Sequence, residues 1–111
     1  MTEATEALRT LLSPIVNGNI YTVAAEQTTK PPYIVLTPVD DDYNAHADDE
    51  PQGWTEEVLI SIYTVTNYKT IAEAVCTACI NAGFAITERK FIEREDKTKY
   101  YHYAITVEHD Y

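Results

Sequence analysis

Apolar residues recur at helical spacing in two stretches of the chain and at alternating positions in several others. Between residues 2 and 12, Ala4, Leu8, Leu11 and Leu12 form one stripe, with Thr2 available as a cap and Pro14 just beyond, which predicts a short amphipathic helix. Asn17-Gly18-Asn19 marks a turn, and Ile20 to Val23 follows as a short strand. A polar run leads to Pro31 and Pro32, which force extended backbone into a strand over Tyr33 to Val39, with Pro38 pointing to an edge position. Trp54 to Thr66 is the longest strand expected, and its length suggests a sheet edge that a lone monomer must protect. There Val58, Ile60 and Ile62 face one way and Leu59, Ser61, Tyr63 and Val65 the other. Ile71, Ala72, Val75, Ala78, Cys79 and Ala82 return to helical spacing, with Asn67 or Thr66 as cap, Thr70 and Glu73 as an alternative capping box, and Gly83 as the terminator.

A closing hairpin is expected from Phe84 to Glu95 and Lys99 to Glu108, turning near Asp96 and Lys97. In its second strand Tyr101, Tyr103, Ile105 and Val107 share one face, and Tyr100, His102, Ala104, Thr106 and Glu108 share the other. The order helix, strand, strand, strand, helix, strand, strand predicts an α+β fold. Its sheet would be mostly antiparallel, of about four to five strands, with two helices packed on one face.

At 111 residues, residues 1–111 are expected to form a single domain, and a 45% hydrophobic content suffices for a core, which argues against an intrinsically disordered chain. No stretch approaches the ~20 apolar residues of a bilayer-spanning helix, and glutamates stand where a secretory signal would be basic, so synthesis in the cytoplasm without membrane contact is expected. Eight Lys and Arg stand against 18 Asp and Glu, a formal net charge of -10. That balance repels phosphate backbones and excludes tight wrapping of DNA. The charge is uneven: Asp40, Asp41, Asp42, Asp48, Asp49 and Glu50 fall in one stretch with no Lys or Arg, and residues 40–53 are expected to be an acidic loop.

Candidate chemistry is sparse. Cys76 and Cys79 have CxxC spacing, but both lie on the apolar stripe of the second helix, where free thiols serve as small core side chains; no second ligand pair completes a zinc site. The acidic stretch lacks the Gly and Glu of a calcium loop and the apolar pocket that would split a carboxylate pair. His102 and His109 project to opposite faces of one strand, Ser13 and Ser61 stand outside any nucleophile motif, and there is no Gly-rich phosphate loop. No catalytic, cofactor or metal site is therefore expected, and the chain is not read as an enzyme. Nine tyrosines in so short a chain point instead to assembly, because tyrosine offers large contact area at low entropic cost. Tyr43, Trp54, Tyr100 and Tyr111 are the candidate oligomer-interface positions, while Tyr33, Tyr63 and Tyr103 divide evenly between core and interface.

The segments EALRTLL, NIYTVAAEQTTKPPYIVL, WTEEVLISIYTVTNYKTIAEAV and the closing hairpin, in that order, resemble the small tail-completion and tail-terminator proteins of long-tailed bacteriophages. The carrying motifs are an Ile-Tyr strand, then Pro32, Tyr33, Ile34 and Val35, and later a strand leading into an Ile-Ala-Glu-Ala-Val helix. The resemblance implies a structural virion protein without an active site. It would form a ring, commonly of six subunits, at the head-proximal end of the tail, in contact with the tail tube protein and with a neck or head-completion protein. DNA would pass through without tight binding. The acidic stretch departs from the family pattern; a carboxylate-lined channel would repel passing DNA. Two other classes fit small size and acidity: an acidic DNA-mimic inhibitor of a host DNA-binding protein, disfavoured by the mixed charge of Glu88, Arg89, Lys90, Glu93 and Arg94, and a non-enzymatic adaptor that lends an edge strand to a partner.

Overall fold

The computed structural model describes residues 3–23, 30–43 and 53–111. Its elements in chain order are α1 (Glu3–Leu12), a 3-10 turn (Ser13–Val16), β1 (Ile20–Thr22), β2 (Tyr33–Tyr43), β3 (Trp54–Thr64), α2 (Tyr68–Asn81), β4 (Ala85–Arg94) and β5 (Tyr101–Asp110). The five strands form one sheet in the order β1-β2-β3-β5-β4, in which only β1 and β2 run parallel. This is the α+β arrangement that the hydrophobic pattern predicts.

The alternation in β3 decides which face is buried. Val58, Ile60, Ile62 and Thr64 point inward and are buried, and the strands beside them supply Ile34 and Leu36 from β2 and Ile105 and Val107 from β5. Ala4, Leu8 and Leu12 of α1, Val16, and Ala72, Val75, Cys76 and Cys79 of α2 close over that face. Both cysteines are free and buried, and burial raises both thiols, that of Cys79 up to about 12, which disfavours the reactive thiolate.

Local signals end the elements largely where expected. The Asn67 side chain accepts the Lys69 N–H and starts α2, while Thr64 and Thr66 join through their hydroxyls in the preceding turn, so β3 stops at Thr64 and not at Thr66. Gly83, at φ +91°, turns the chain out of α2, and the Phe84 N–H returns to the Cys79 carbonyl. Val23 lies outside β1 at φ +73° with its side chain exposed.

Two expectations are corrected. β3, anticipated as a sheet edge, is the central strand: β2 and β5 both pair along it. The edges are the three-residue β1 and the ten-residue β4. Among the described residues Pro38 does lie at an edge, because β1 pairs only with Ile34 to Leu36 and the register with β3 shifts between Pro38 and Asp40. The acidic stretch also does not begin as a loop. Asp40, Asp41, Asp42 and Tyr43 continue β2, opposite Glu57, Glu56, Thr55 and Trp54, because the pairing partner holds the backbone extended whatever the local charge. Asp48, Asp49 and Glu50 lie outside the described residues.

One charged side chain fixes α1 to the sheet. Glu56 is 5% exposed on the helix-facing side of β3; its carboxylate accepts the Ala4 N–H at 2.8 Å and the indole N–H of Trp54. It thus satisfies an N-terminal amide of α1 and places negative charge at the positive end of the helix dipole. Glu56→Ala leaves that amide buried and unpartnered and is expected to cost about 1–3 kcal/mol. Urea denaturation measures it, and Glu56→Gln, which keeps one acceptor oxygen, should lose less.

Candidate assembly surface

The helices occupy one face of the sheet, and among the described residues no element covers the other. That uncovered face carries the out-facing half of each alternation: Tyr33, Val35 and Thr37 on β2, Leu59, Ser61 and Tyr63 on β3, and His102, Ala104 and Thr106 on β5. Val35, Ser61 and Ala104 at its centre are buried by their neighbours alone, and the rest are half-buried.

At one end the face is aromatic. Tyr33 stacks on Tyr63 at 4.7 Å between ring centroids, Tyr63 stacks on His102 at 4.4 Å, and Tyr21 and Tyr100 meet Tyr33 edge-on at 6.4 and 6.3 Å. Burial, aided by Tyr63, Glu95 and Tyr100, pushes the Tyr33 hydroxyl up to about 12. His102 is held below its ordinary value by burial, against the opposing pull of Glu95 and Glu93, and its Nε2 has no hydrogen-bond partner among the described residues.

At the other end the face is acidic. Glu57 stands opposite both Asp40 and Glu108, and Thr55 opposite both Asp42 and Asp110, so carboxyl-bearing positions line up across three strands. Like charges directly opposite each other disfavour a sheet. The Thr55 hydroxyl donates to the Asp110 carboxylate at 2.6 Å, which relieves one of these rows in part.

Among the described residues β4 forms the other edge of the sheet, its Phe91 ring against Tyr68 of α2. Its residues are exposed except for the half-buried Ile86, and Phe91 and Ile92 are 45% and 40% exposed. Register shifts at Ile86/Glu88 and Phe91/Glu93 bend this edge, and Arg89, paired with Glu73 of α2 at 2.8 Å, ties it to the helix layer.

The aromatic positions singled out in the sequence divide. Trp54 stacks on Tyr111 at 5.7 Å, and their backbones exchange hydrogen bonds, so this pair secures the C-terminal end of β5. Tyr111 packs against the core, as does Tyr103, which also stacks on Tyr68 of α2. Tyr100 joins Tyr33 and Tyr63 on the uncovered face; of Tyr43 the register alone is described, opposite Trp54. His102 and Leu59, which complete that face, were not anticipated as surface residues. The period-two pattern places them there once the helices are known to sit on one side only.

The profile of the Tail completion protein gp17 family matches residues 3–109. The chain belongs to that family. It is accordingly a structural protein of the bacteriophage tail, with its place in the virion. A chain in a solved structure, "Virion of native gene transfer agent (GTA) particle", has the same fold: TM-score 0.53 and 14% identity over 96% of this chain and 88% of that one. No curated protein matches in sequence.

The aromatic end of the sheet carries a pH dependence. Because the folded state holds His102 below the ordinary histidine value, the neutral ring contributes stability that is present above about pH 6.5 and is lost as pH falls through the folded value. Urea midpoints are expected to drop between pH 7.5 and pH 5, and the drop should shrink in His102→Gln.

Proposed function

We propose that this tail completion protein assembles into a ring, of six subunits as the resemblance to tail terminators implies, that caps the tail tube and joins it to the neck while leaving a channel for DNA. The observation that carries the proposal is the uncovered sheet face, aromatic at one end and acidic at the other, on a chain whose family is structural. The partners are further copies of the chain, the tail tube protein and a neck or head-completion protein, and before assembly the subunits reside in the host cytoplasm. DNA passes without being held, a reading that the net charge of -10 supports.

Particles from a phage lacking this protein should contain heads and tails that fail to join, and added protein should restore joining. Gold-labelled protein should mark the head-proximal end of the tail. Label elsewhere on the tail, or normal joining without the protein, would overturn the placement.

The bore-facing group within this reading comprises Asp40, Asp41, Asp42, Asp48, Asp49 and Glu50, the end of β2 and the segment after it. Beyond Leu36 the outer side of β2 has no partner among the described residues, so this margin of the sheet is free to border a channel. Charges gathered around a water-filled bore act together over about one Debye length, ~8 Å at physiological salt. Exchanging the six for Asn or Gln should leave particles able to assemble but slower to eject DNA, most visibly at low salt. Unchanged ejection from assembled particles would put these carboxylates outside the bore.

A further inference from the structure

Charge on β4 is sorted by face. Glu88, Lys90 and Glu93 stand opposite Thr106, Ala104 and His102 and so belong to the uncovered face, whereas Arg89, Phe91 and Arg94 stand opposite Ile105, Tyr103 and Tyr101 and belong to the helix side. Glu95 goes with the first group, since its charge acts on Tyr33, Tyr63 and His102. The register shifts at Ile86/Glu88 and Phe91/Glu93 produce the sorting, because an extra residue changes which positions share a face. Both arginines of the strand are thereby turned away from its glutamates.

On the helix side, α2 meets β4 over an open cavity of about 380 Å³ lined by Tyr68, Lys69, Ala72, Glu73, Arg89 and Tyr103. Its surroundings are aromatic: the Tyr68 ring centre lies 5.3 Å from those of Phe91 and Tyr103 and 5.7 Å from that of Tyr101. The Arg89 guanidinium stands 5.9 Å from the centre of the Tyr103 ring, and that of Arg94 stands 5.6 Å from the centre of Tyr101. Glu73 is the one carboxylate of the lining. It accepts from Nη2 of Arg89 at 2.8 Å, while Nε of Arg89 donates to the Tyr103 hydroxyl at 3.3 Å, so the guanidinium is held in place. Lys69 and Arg94 have no carboxylate partner among the described residues.

We propose that this corner between α2 and β4 binds an acidic segment of another virion protein, whose carboxylates reach Lys69 and Arg94 while an apolar neighbour packs on Phe91 and Tyr68. This goes beyond the ring reading and does not depend on it. Charge selects the occupant. On a chain of net charge -10 an acidic partner is repelled from most of the surface and is accepted where cations outnumber carboxylates, as Lys69, Arg89 and Arg94 outnumber Glu73 here. Packing selects it too, because Phe91 is 45% exposed beside arginine and tyrosine, the residue types that anchor protein interfaces. A phosphate backbone fits less well: a basic track is what holds one, and Glu88, Glu93 and Glu95 stand on the other side of the same hairpin.

A photoreactive benzophenone side chain in place of Phe91 tests the contact in assembled particles. Irradiation, followed by mass spectrometry of the linked peptides, is expected to join position 91 to a different virion protein at a peptide in which Asp and Glu outnumber Lys and Arg. Linkage to a second copy of this chain, to DNA or to a peptide without that acidic excess would overturn the proposal, as would the absence of any link in particles that contain the protein. Lys69→Glu with Arg94→Glu, added to the same protein, should cut the yield of the link per subunit by about tenfold or more. Both side chains are exposed, and a glutamate in the first turn of α2 suits the helix dipole, so the variant is expected to fold, which circular dichroism verifies. A folded variant that no longer enters particles registers the same loss, whereas an unchanged yield would overturn the charge pairing. The link is read wherever the subunit sits in the particle, so this contact can fail while the ring and its placement stand, and the reverse.

Discussion

The fold depends on β3 presenting Val58, Ile60 and Ile62 to the helices. Because successive side chains of a strand point to opposite faces, burying those three obliges Leu59, Ser61 and Tyr63 to face the other way. β2 and β5 pair with β3 on either side and inherit its alternation, so Ile34, Leu36, Ile105 and Val107 follow inward and Tyr33, Val35, His102 and Ala104 outward. Two helices of ten and fourteen residues cover one face of a five-stranded sheet. The second face is left to side chains that tolerate being half wet: tyrosine, histidine, threonine and small residues whose neighbours shield them.

Attachment of the helices follows from the same register. Glu56 is two residues before Val58 and hence on the inward face, at the point where α1 begins; there an unsatisfied helix amide and an indole N–H give a buried carboxylate its partners. A carboxylate at that depth without them would cost more than the helix could return. α2 is attached differently, through Cys79, Val75 and Ala72 against the core and through Glu73 to Arg89 on the outer strand. The exposed Glu73–Arg89 pair adds little stability but orients β4.

Most of this was legible in the residues. Both helices, five strands, the caps at Asn67 and Gly83, and the two faces of β5 follow from spacing alone, and the family follows from short motifs in order. Spacing does not carry strand order: the pattern of β3 fits a central or an edge position equally, and only the long-range pairing of Ile60 with Leu36 on one side and Ile105 on the other decides it. Asp40 to Asp42 misled because aspartate disfavours strands locally, while the pairing that extends β2 is supplied by residues more than ten positions away. Glu56 was invisible for a similar reason. A glutamate beside Glu57 looks like a solvated pair until the sheet turns one of them toward the helix.

The carboxyl positions aligned across β2, β3 and β5 show where stability of the subunit and use of its surface diverge. Placing Glu57 between Asp40 and Glu108 disfavours the isolated sheet, and lysine at the middle position would relieve it at once. The fold holds nonetheless because the face beneath those strands buries Val58, Val107 and Leu36, whose transfer from water, about 1.5–3 kcal/mol each, outweighs the cross-strand repulsion of the half-buried Glu57 and Glu108. The core therefore leaves the outward positions free to be chosen for something other than the stability of one chain. In a tail protein, that freedom is available for contacts with other virion proteins.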